Sequence, residues 1–269
     1  MRRRLEFEAN RIEAVLGSHG ISGRVTGGTM TPRGIRFQVL PAMSVDVSKI
    51  KGLSQELASA LNVAECQVLR CGAAVTVEVP RNDPQPIRLA LLYRQLQNER
   101  TSIPPMTAIL GLGEDGAPLL IRLPSPSVGN ILVVGGEGAG KTSLLRTISL
   151  SLEWANSGVD LHNVHIIDDL EMFDQTRQDG IMILARRADE YVIVATSDIS
   201  LARRIRDVFP VRIVGRVASA EEAYGVTGCS GARAEQLMGQ GDFLAVAEGE
   251  VIRFQAAFID PGERDGGQG

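Results

Sequence analysis

Eight residues near the middle of the chain combine backbone freedom with a single positive charge. Gly135-Gly136-Glu137-Gly138-Ala139-Gly140-Lys141-Thr142 follows the pattern G-x-x-x-x-G-K-[ST]. Glycines let main-chain amides converge on an anion without Cβ clashes. A helix beginning at the lysine adds partial positive charge at the same point. Lys141 would reach the β- and γ-phosphates of a nucleoside triphosphate, and the Thr142 hydroxyl would ligate Mg2+. Gly135, Gly136, Glu137, Gly138, Ala139, Gly140, Lys141, Thr142 and Ser143 are therefore the candidate ATP-binding residues. The bland alternative, a glycine turn without a ligand, does not explain the flanks. Apolar Ile131–Val134 reads as a buried strand entering the loop, and Lys141–Trp154 as a helix leaving it with Leu144, Ile148 and Leu152 on one face.

A second cluster is acidic. Val164-His165-Ile166-Ile167-Asp168-Asp169 is an apolar strand ending in two carboxylates. In phosphate-loop ATPases such a strand is expected beside the loop strand, with its first acid holding Mg2+. Asp168 takes that role together with Thr142. Asp169 stands where a water-polarising carboxylate would, although Asp is one methylene shorter than Glu. The pair also reads as a strand followed by an Asp helix cap, and the two readings are compatible. His165 reads as a half-buried sheet residue. Thr196 closes another apolar strand and is placed to sense the γ-phosphate, while Ser197 or Asp198 reads equally as the cap of a helix over Ile199–Val208.

The elements that must position these residues form two sets. Arg4–Leu16 has the pattern of a short amphipathic helix. Strands are expected over Arg24–Thr29, Ile35–Leu40, Val68–Arg70 and Ala74–Val79, with a helix over Ser54–Leu61. These make a small α+β domain, residues 1–83. A connector, residues 84–105, carries a helix over Ile87–Asn98. Ala108–Leu112 and Pro118–Leu123 read as a hairpin across a Gly-Glu-Asp-Gly turn. Four near-continuous apolar strands follow: Ile131–Val134, Val164–Ile167, Tyr191–Ala195 and Val211–Val217. Such strands are expected to be covered on both faces, as in a parallel α/β sheet. A final hairpin, Phe243–Ala247 with Arg253–Ile259, completes a nucleotide-binding domain over 106–260. The polar stretch 261–269 reads as a disordered tail.

With 269 residues, 44% hydrophobic and 22% charged, the chain can hold two globular cores. The net charge of −4 is unevenly spread: residues 1–103 carry +5 and the remainder −9. That asymmetry reads either as surface scatter with a solvated Arg2–Arg4 or as a weak polyanion-facing surface. Cys66, Cys71 and Cys229 lack zinc-ligand spacing and suit free thiols in a reducing compartment. No apolar run approaches the roughly 18 residues of a membrane span, and Met1–Leu16 is too charged for a signal peptide. A soluble, cytoplasmic location is the expectation.

The order of these motifs resembles the motor region of the FtsK/SpoIIIE family of DNA translocases, from about Ile21 to Asp260. Gly34–Pro41, Val47–Ile50, Leu53–Leu61 and Gly72–Pro80 are similar to the family's α domain. Leu110-Gly111, Gly116–Ile121, Asn130–Thr142, Arg186–Ala188, Val192–Thr196, Val211–Ser219 and Leu237–Leu244 resemble its RecA-like β domain. The resemblance implies an α/β fold, namely a RecA-like P-loop NTPase core with a parallel sheet, preceded by a small α+β domain. It implies ATP hydrolysis with Mg2+, with Lys141, Asp168, Asp169 and Thr196 as catalytic residues. It also implies a homo-oligomer, a hexameric ring, through which double-stranded DNA is driven. The segment between Thr142 and Tyr191 is shorter than in the family. Ser197-Asp198 replaces the family's Gln-Arg, and Ala220–Tyr224 lacks its arginine, leaving Arg212 and Arg216 as the nearest substitutes for a trans-acting arginine. Two other functions fit less of the pattern: a nucleotide-binding ring component that does not hydrolyse, and a secretion-type ATPase that threads polypeptide.

Overall fold

Alternation of side chains sets the architecture of the amino-terminal unit in the computed structural model, which describes residues 2–31, 34–42, 45–71, 74–80, 86–98, 103–155 and 160–260. Helix α1 (Arg2–Ser18) is followed by β1 (Gly23–Met30), β2 (Gly34–Pro41), α2 (Val47–Gly52), α3 (Ser54–Leu61), β3 (Gln67–Cys71) and β4 (Ala74–Pro80). The strands form an antiparallel sheet ordered β1-β2-β4-β3. Ile35, Phe37 and Val39 of β2 and Val75, Val77 and Val79 of β4 share one face. They bury against Ile12 and Leu16 of α1 and Leu57, Ala58 and Leu61 of α3. Truncating a fully buried Phe such as Phe37 would cost about 3–5 kcal/mol. Asp46 caps α2 by accepting from the Ser48 amide at 2.9 Å. Asn62, in the left-handed region, closes α3.

The chain divides after Pro86. The second unit contains α4 (Leu89–Asn98), β5 (Thr107–Gly113), β6 (Pro118–Arg122), β7 (Ile131–Val134), α5 (Lys141–Ala155), β8 (Val164–Ile167), α6 (Gln175–Leu184), β9 (Tyr191–Thr196), α7 (Ile199–Ile205), β10 (Val211–Val214), α8 (Ala220–Thr227), β11 (Asp242–Ala247) and β12 (Glu250–Ala256). The helix expected within the connector is α4. It packs Leu89, Leu92 and Leu96 against Ile109 and Ala257, and Leu89 and Phe258 exchange main-chain bonds with this unit's own segments. Residues 261–269, expected as a tail, and residues 81–85 and 99–102 of the connector lie outside the described residues.

Eight strands form one sheet, β6-β5-β12-β11-β10-β7-β9-β8. Neighbours among β10, β7, β9 and β8 run parallel; the others pair antiparallel. Its central strands are buried on both faces, which explains their unbroken hydrophobicity. Ile131 and Val133 of β7 face Leu144, Ile148 and Leu152 of α5. Leu132 and Val134 face the opposite core, with Leu201 and Ala202 of α7 and Ala223 and Val226 of α8.

Two expectations need correction. The acidic strand β8 does not lie beside the loop strand β7, because β9 pairs with both and stands between them. As the sheet edge, β8 is only half-buried along its length, unlike the other three parallel strands. Strand β10 also ends at Val214 rather than continuing to Val217. Its successor Gly215 bonds back to the Val134 carbonyl at 2.7 Å. A Cβ there would sit 2.9 Å from both the Ala139 methyl and the Phe243 ring, so the chain turns under the phosphate loop instead of extending.

Candidate nucleotide-binding site

Strand β7 delivers Gly135 to the carboxyl edge of the sheet, and the loop Gly135–Gly140 turns there into α5. Gly138 and Gly140 have φ of +74° and +98°, a region that side chains disfavour. Among the described residues, nothing accepts a hydrogen bond from the main-chain amides of Gly138, Gly140, Lys141, Thr142 or Ser143. The first turn of α5 carries no acidic side chain that would compete for an anion. Lys141 is 8% exposed, and its Nζ donates to the carbonyls of Gly135 at 2.9 Å and Gly136 at 3.3 Å. The ammonium thus stays inside the loop, held by carbonyls that a phosphate can replace as partner.

A second segment braces the loop. Gly239, Gln240 and Gly241 have φ of +74°, +50° and +90°. The Gln240 and Gly241 amides donate to the Gly138 and Ala139 carbonyls at 3.1 and 2.8 Å. A Cβ on Gly140 would approach the Gly241 nitrogen to 3.0 Å, so this packing depends on glycine. Asp242, 4% exposed, anchors the brace. It accepts from both Nε and an Nη of Arg253, at 2.9 and 2.8 Å, and from the Met238 amide at 2.8 Å. The sequence offered this turn only as part of the family resemblance over Leu237–Leu244; its bracing role appears in the structure.

The acidic strand supplies the candidate metal ligand. Asp168, at the end of β8, accepts from the Thr142 hydroxyl at 2.6 Å, so the two predicted Mg2+ ligands meet although their strands are not neighbours. A hydroxyl and a carboxylate, on an exposed and a half-buried residue respectively, are hard oxygen donors that leave room for water and phosphate oxygens, which suits Mg2+. Among the described residues there is no group of three His, Cys, Asp or Glu to make a closed metal cage.

Beyond Asp168 the chain reverses in a single 3-10 turn, Leu170–Met172, anchored by fully buried Leu170. Asp169 enters it in the left-handed region, with φ +48° and ψ +55°. Its side chain makes no capping bond, and the residue is exposed. Its amide donates to Asp168 Oδ1 at 3.0 Å. Sequence reasoning passed over Glu171, whose Oε1 accepts from the Ser197 amide at 2.9 Å. Burial raises its carboxyl, but the Thr196 hydroxyl, its own backbone and Ser197 outweigh that and leave it below the ordinary glutamate value.

Thr196 is fully buried and stands opposite Val134, the residue before the phosphate loop. Its hydroxyl accepts from the Asp198 amide at 3.1 Å. Asp198, not Ser197, caps α7, accepting from the Ser200 and Leu201 amides. His165 is half-buried, with Nε2 2.8 Å from Glu190. The two arginines diverge. Arg212 lies inside β10 opposite Leu132. Arg216 is exposed beside the phosphate loop, and its carbonyl accepts from the Gly136 amide at 2.8 Å.

Comparison with known proteins follows the same two units. Residues 1–81 match the FtsK alpha domain. Over about half its length the chain is similar to FtsK-type DNA translocases. It is 31% identical over 149 residues to the DNA translocase FtsK of Bacillus anthracis, covering 54% of this chain and 18% of that protein. It is 29% identical over 151 residues to the DNA translocase SftA of Bacillus subtilis, covering 55% and 16%. The chain thus spans about a fifth of the length of these FtsK-type relatives. Its fold is similar to that of the pCW3 conjugation coupling protein TcpA, solved in a monomer form with ATPγS, with a TM-score of 0.58, 13% identity and 97% of each chain covered. Fold class is therefore as expected, an α/β unit with a parallel core sheet and the fold of P-loop proteins such as TcpA, preceded by a small α+β unit. No helix among the described residues is long and apolar enough to cross a membrane.

Proposed function

We propose that this chain is an ATP-hydrolysing motor segment that moves double-stranded DNA as part of a ring of identical subunits. The observation that carries the reading is the meeting of Thr142 and Asp168 at 2.6 Å directly beside the unpartnered amides and enclosed lysine of the loop. A hydroxyl–carboxylate pair beside free main-chain amides at one carboxyl sheet edge supports this reading. The FtsK and SftA relatives direct the choice of DNA as the polymer. A single chain of this size cannot surround a duplex, so the work requires several copies.

The loop amides and Lys141 hold the β- and γ-phosphates and stabilise charge that develops between them. Thr142 and Asp168 would hold Mg2+, which would supply charge neutralisation at the phosphate oxygens. Thr196, behind them, reports the γ-phosphate to α7 through its bond to the Asp198 amide. A carboxylate beyond β8 orients the attacking water.

Steady-state ATP turnover with and without duplex DNA tests the reading. Duplex DNA is expected to stimulate turnover, and Lys141→Ala to reduce it about 100- to 1000-fold, the scale for loss of one preorganised donor. ATP binding without turnover, unchanged by long duplex DNA, would refute the motor. Shortening of the acidic segment favours a second reading, an ATP-binding ring component in which nucleotide only stabilises assembly. That reading expects the same assembly by size exclusion with ATP and with a non-hydrolysable analogue, and no phosphate release.

A further inference from the structure

The acid adjacent to Asp168 is the position where sequence reasoning looks for the water-handling group, and the structure turns that acid away. Asp169 is exposed and left-handed, and its main chain, not its carboxylate, faces Asp168. Two residues later the 3-10 turn brings Glu171 back to the sheet. Its Oε1 is tied to the amide of Ser197 at 2.9 Å, the first residue beyond β9. Strand β9 lies between β8, which carries Asp168, and β7, which enters the phosphate loop. The Glu171 carboxylate therefore stands over the end of the strand that separates the metal-binding acid from the lysine. Its other oxygen, Oε2, is shielded from solvent and has no hydrogen-bond partner among the described residues. The Thr196 and Ser197 hydroxyls lie close enough to favour the ionised carboxylate, yet neither makes a hydrogen bond to Oε2, so that oxygen is open to a further donor.

We propose that Glu171, rather than Asp169, is the catalytic carboxylate that orients the attacking water and receives its proton. This rests on the hydrolase reading above. In the step, the water oxygen forms a bond to the γ-phosphorus while the bond from that phosphorus to the β–γ bridging oxygen breaks. The bridging electron pair leaves with ADP, and the water proton passes to Glu171 and then to solvent or released phosphate. The Ser197 bond fixes one oxygen and leaves Oε2 to accept from water. Its extra methylene gives Glu171 the reach that Asp169 lacks, and a misplacement of about 1 Å in such a water costs roughly a hundredfold in rate.

The test compares wild type, Glu171→Gln, Glu171→Asp and Asp169→Asn as full chains, reading ATP turnover, equilibrium affinity for a fluorescent ATP analogue and thermal melting. Glu171→Gln is expected to lose about 100-fold or more in turnover, the scale of general-base catalysis, with affinity within about threefold and melting unchanged. Asp169→Asn should lose less than about tenfold. Glu171→Asp should recover part of the activity and retain the acid limb of the pH–rate profile, which Glu171→Gln abolishes. The proposal is overturned if Asp169→Asn is the dead variant and Glu171→Gln turns over normally. It is equally overturned if Glu171→Gln loses affinity or melting in step with turnover, which would make Glu171 a brace for Ser197. If wild type binds ATP but never hydrolyses it, the hydrolase reading itself fails, and the role of Glu171 with it.

Discussion

Lys141 and Cys66 are both buried but differ in their polar surroundings. The lysine is enclosed, and its Nζ donates to two loop carbonyls. The Cys66 thiol has no such partners. Burial, then the charges of Glu65 and Glu8, push it from an ordinary 9.0 up to about 12. Between those values the folded chain holds one more proton than the unfolded chain. The stability is thus complete below pH ~9 and lost as pH rises toward 12, at about 1.4 kcal/mol per pH unit. Denaturant unfolding across this range should show that slope in wild type and its absence in Cys66→Ala; equal slopes would contradict the assignment. Thr142→Ala is expected to raise the Mg2+ concentration needed for half-maximal ATP binding, because it removes one of two protein oxygens. An unchanged Mg2+ dependence would place the metal elsewhere.

At the scale of elements, local patterns were legible and long-range neighbours were not. The glycine loop, β7 and α5 follow from contiguous residues, and so does the alternation in β2 and β4. The interposition of β9 between β7 and β8 does not, since strand order depends on pairing between distant segments. The Glu171 turn was missed because three residues carry no periodicity. Helix α6 was unremarkable in sequence because it buries no residue fully. Helix α8 had a readable start, with Ser219 accepting from the Glu222 amide and Glu222 reaching back to the Ala218 amide. The brace over Gly239–Asp242 appears only when β11 is placed beside β10. Replacing Asp242 by Ala would leave the mostly buried Arg253 without its bidentate partner and should destabilise the second unit by about 3 kcal/mol. ATP affinity should fall with it, because the turn supports Gly138 and Ala139. Denaturant midpoints and nucleotide titration read the two effects, and loss of stability with full affinity would separate brace from loop.

For the whole molecule, a net charge of −4 gives no general attraction to nucleic acid. Any hold on DNA must come from localised phosphate contacts. Duplex binding by the assembled protein should therefore fall linearly with salt on logarithmic axes, with a slope near −0.9 for each phosphate neutralised. Filter binding across a salt series measures it, and a flat line would argue against DNA as the substrate.

The bonds beneath the nucleotide loop do not end at the loop. Gly241 takes the Ala139 carbonyl with its amide and gives its own carbonyl to the Ala256 amide at 2.7 Å; the next residue, Ala257, donates to the Leu110 carbonyl at 2.9 Å. Three links of covalent chain and hydrogen bond thus join the phosphate cradle to β5, on the far side of β10, β11 and β12 in the sheet. A cradle built this way is geared to its sheet: any displacement of the loop would pull on β5 through the same rail.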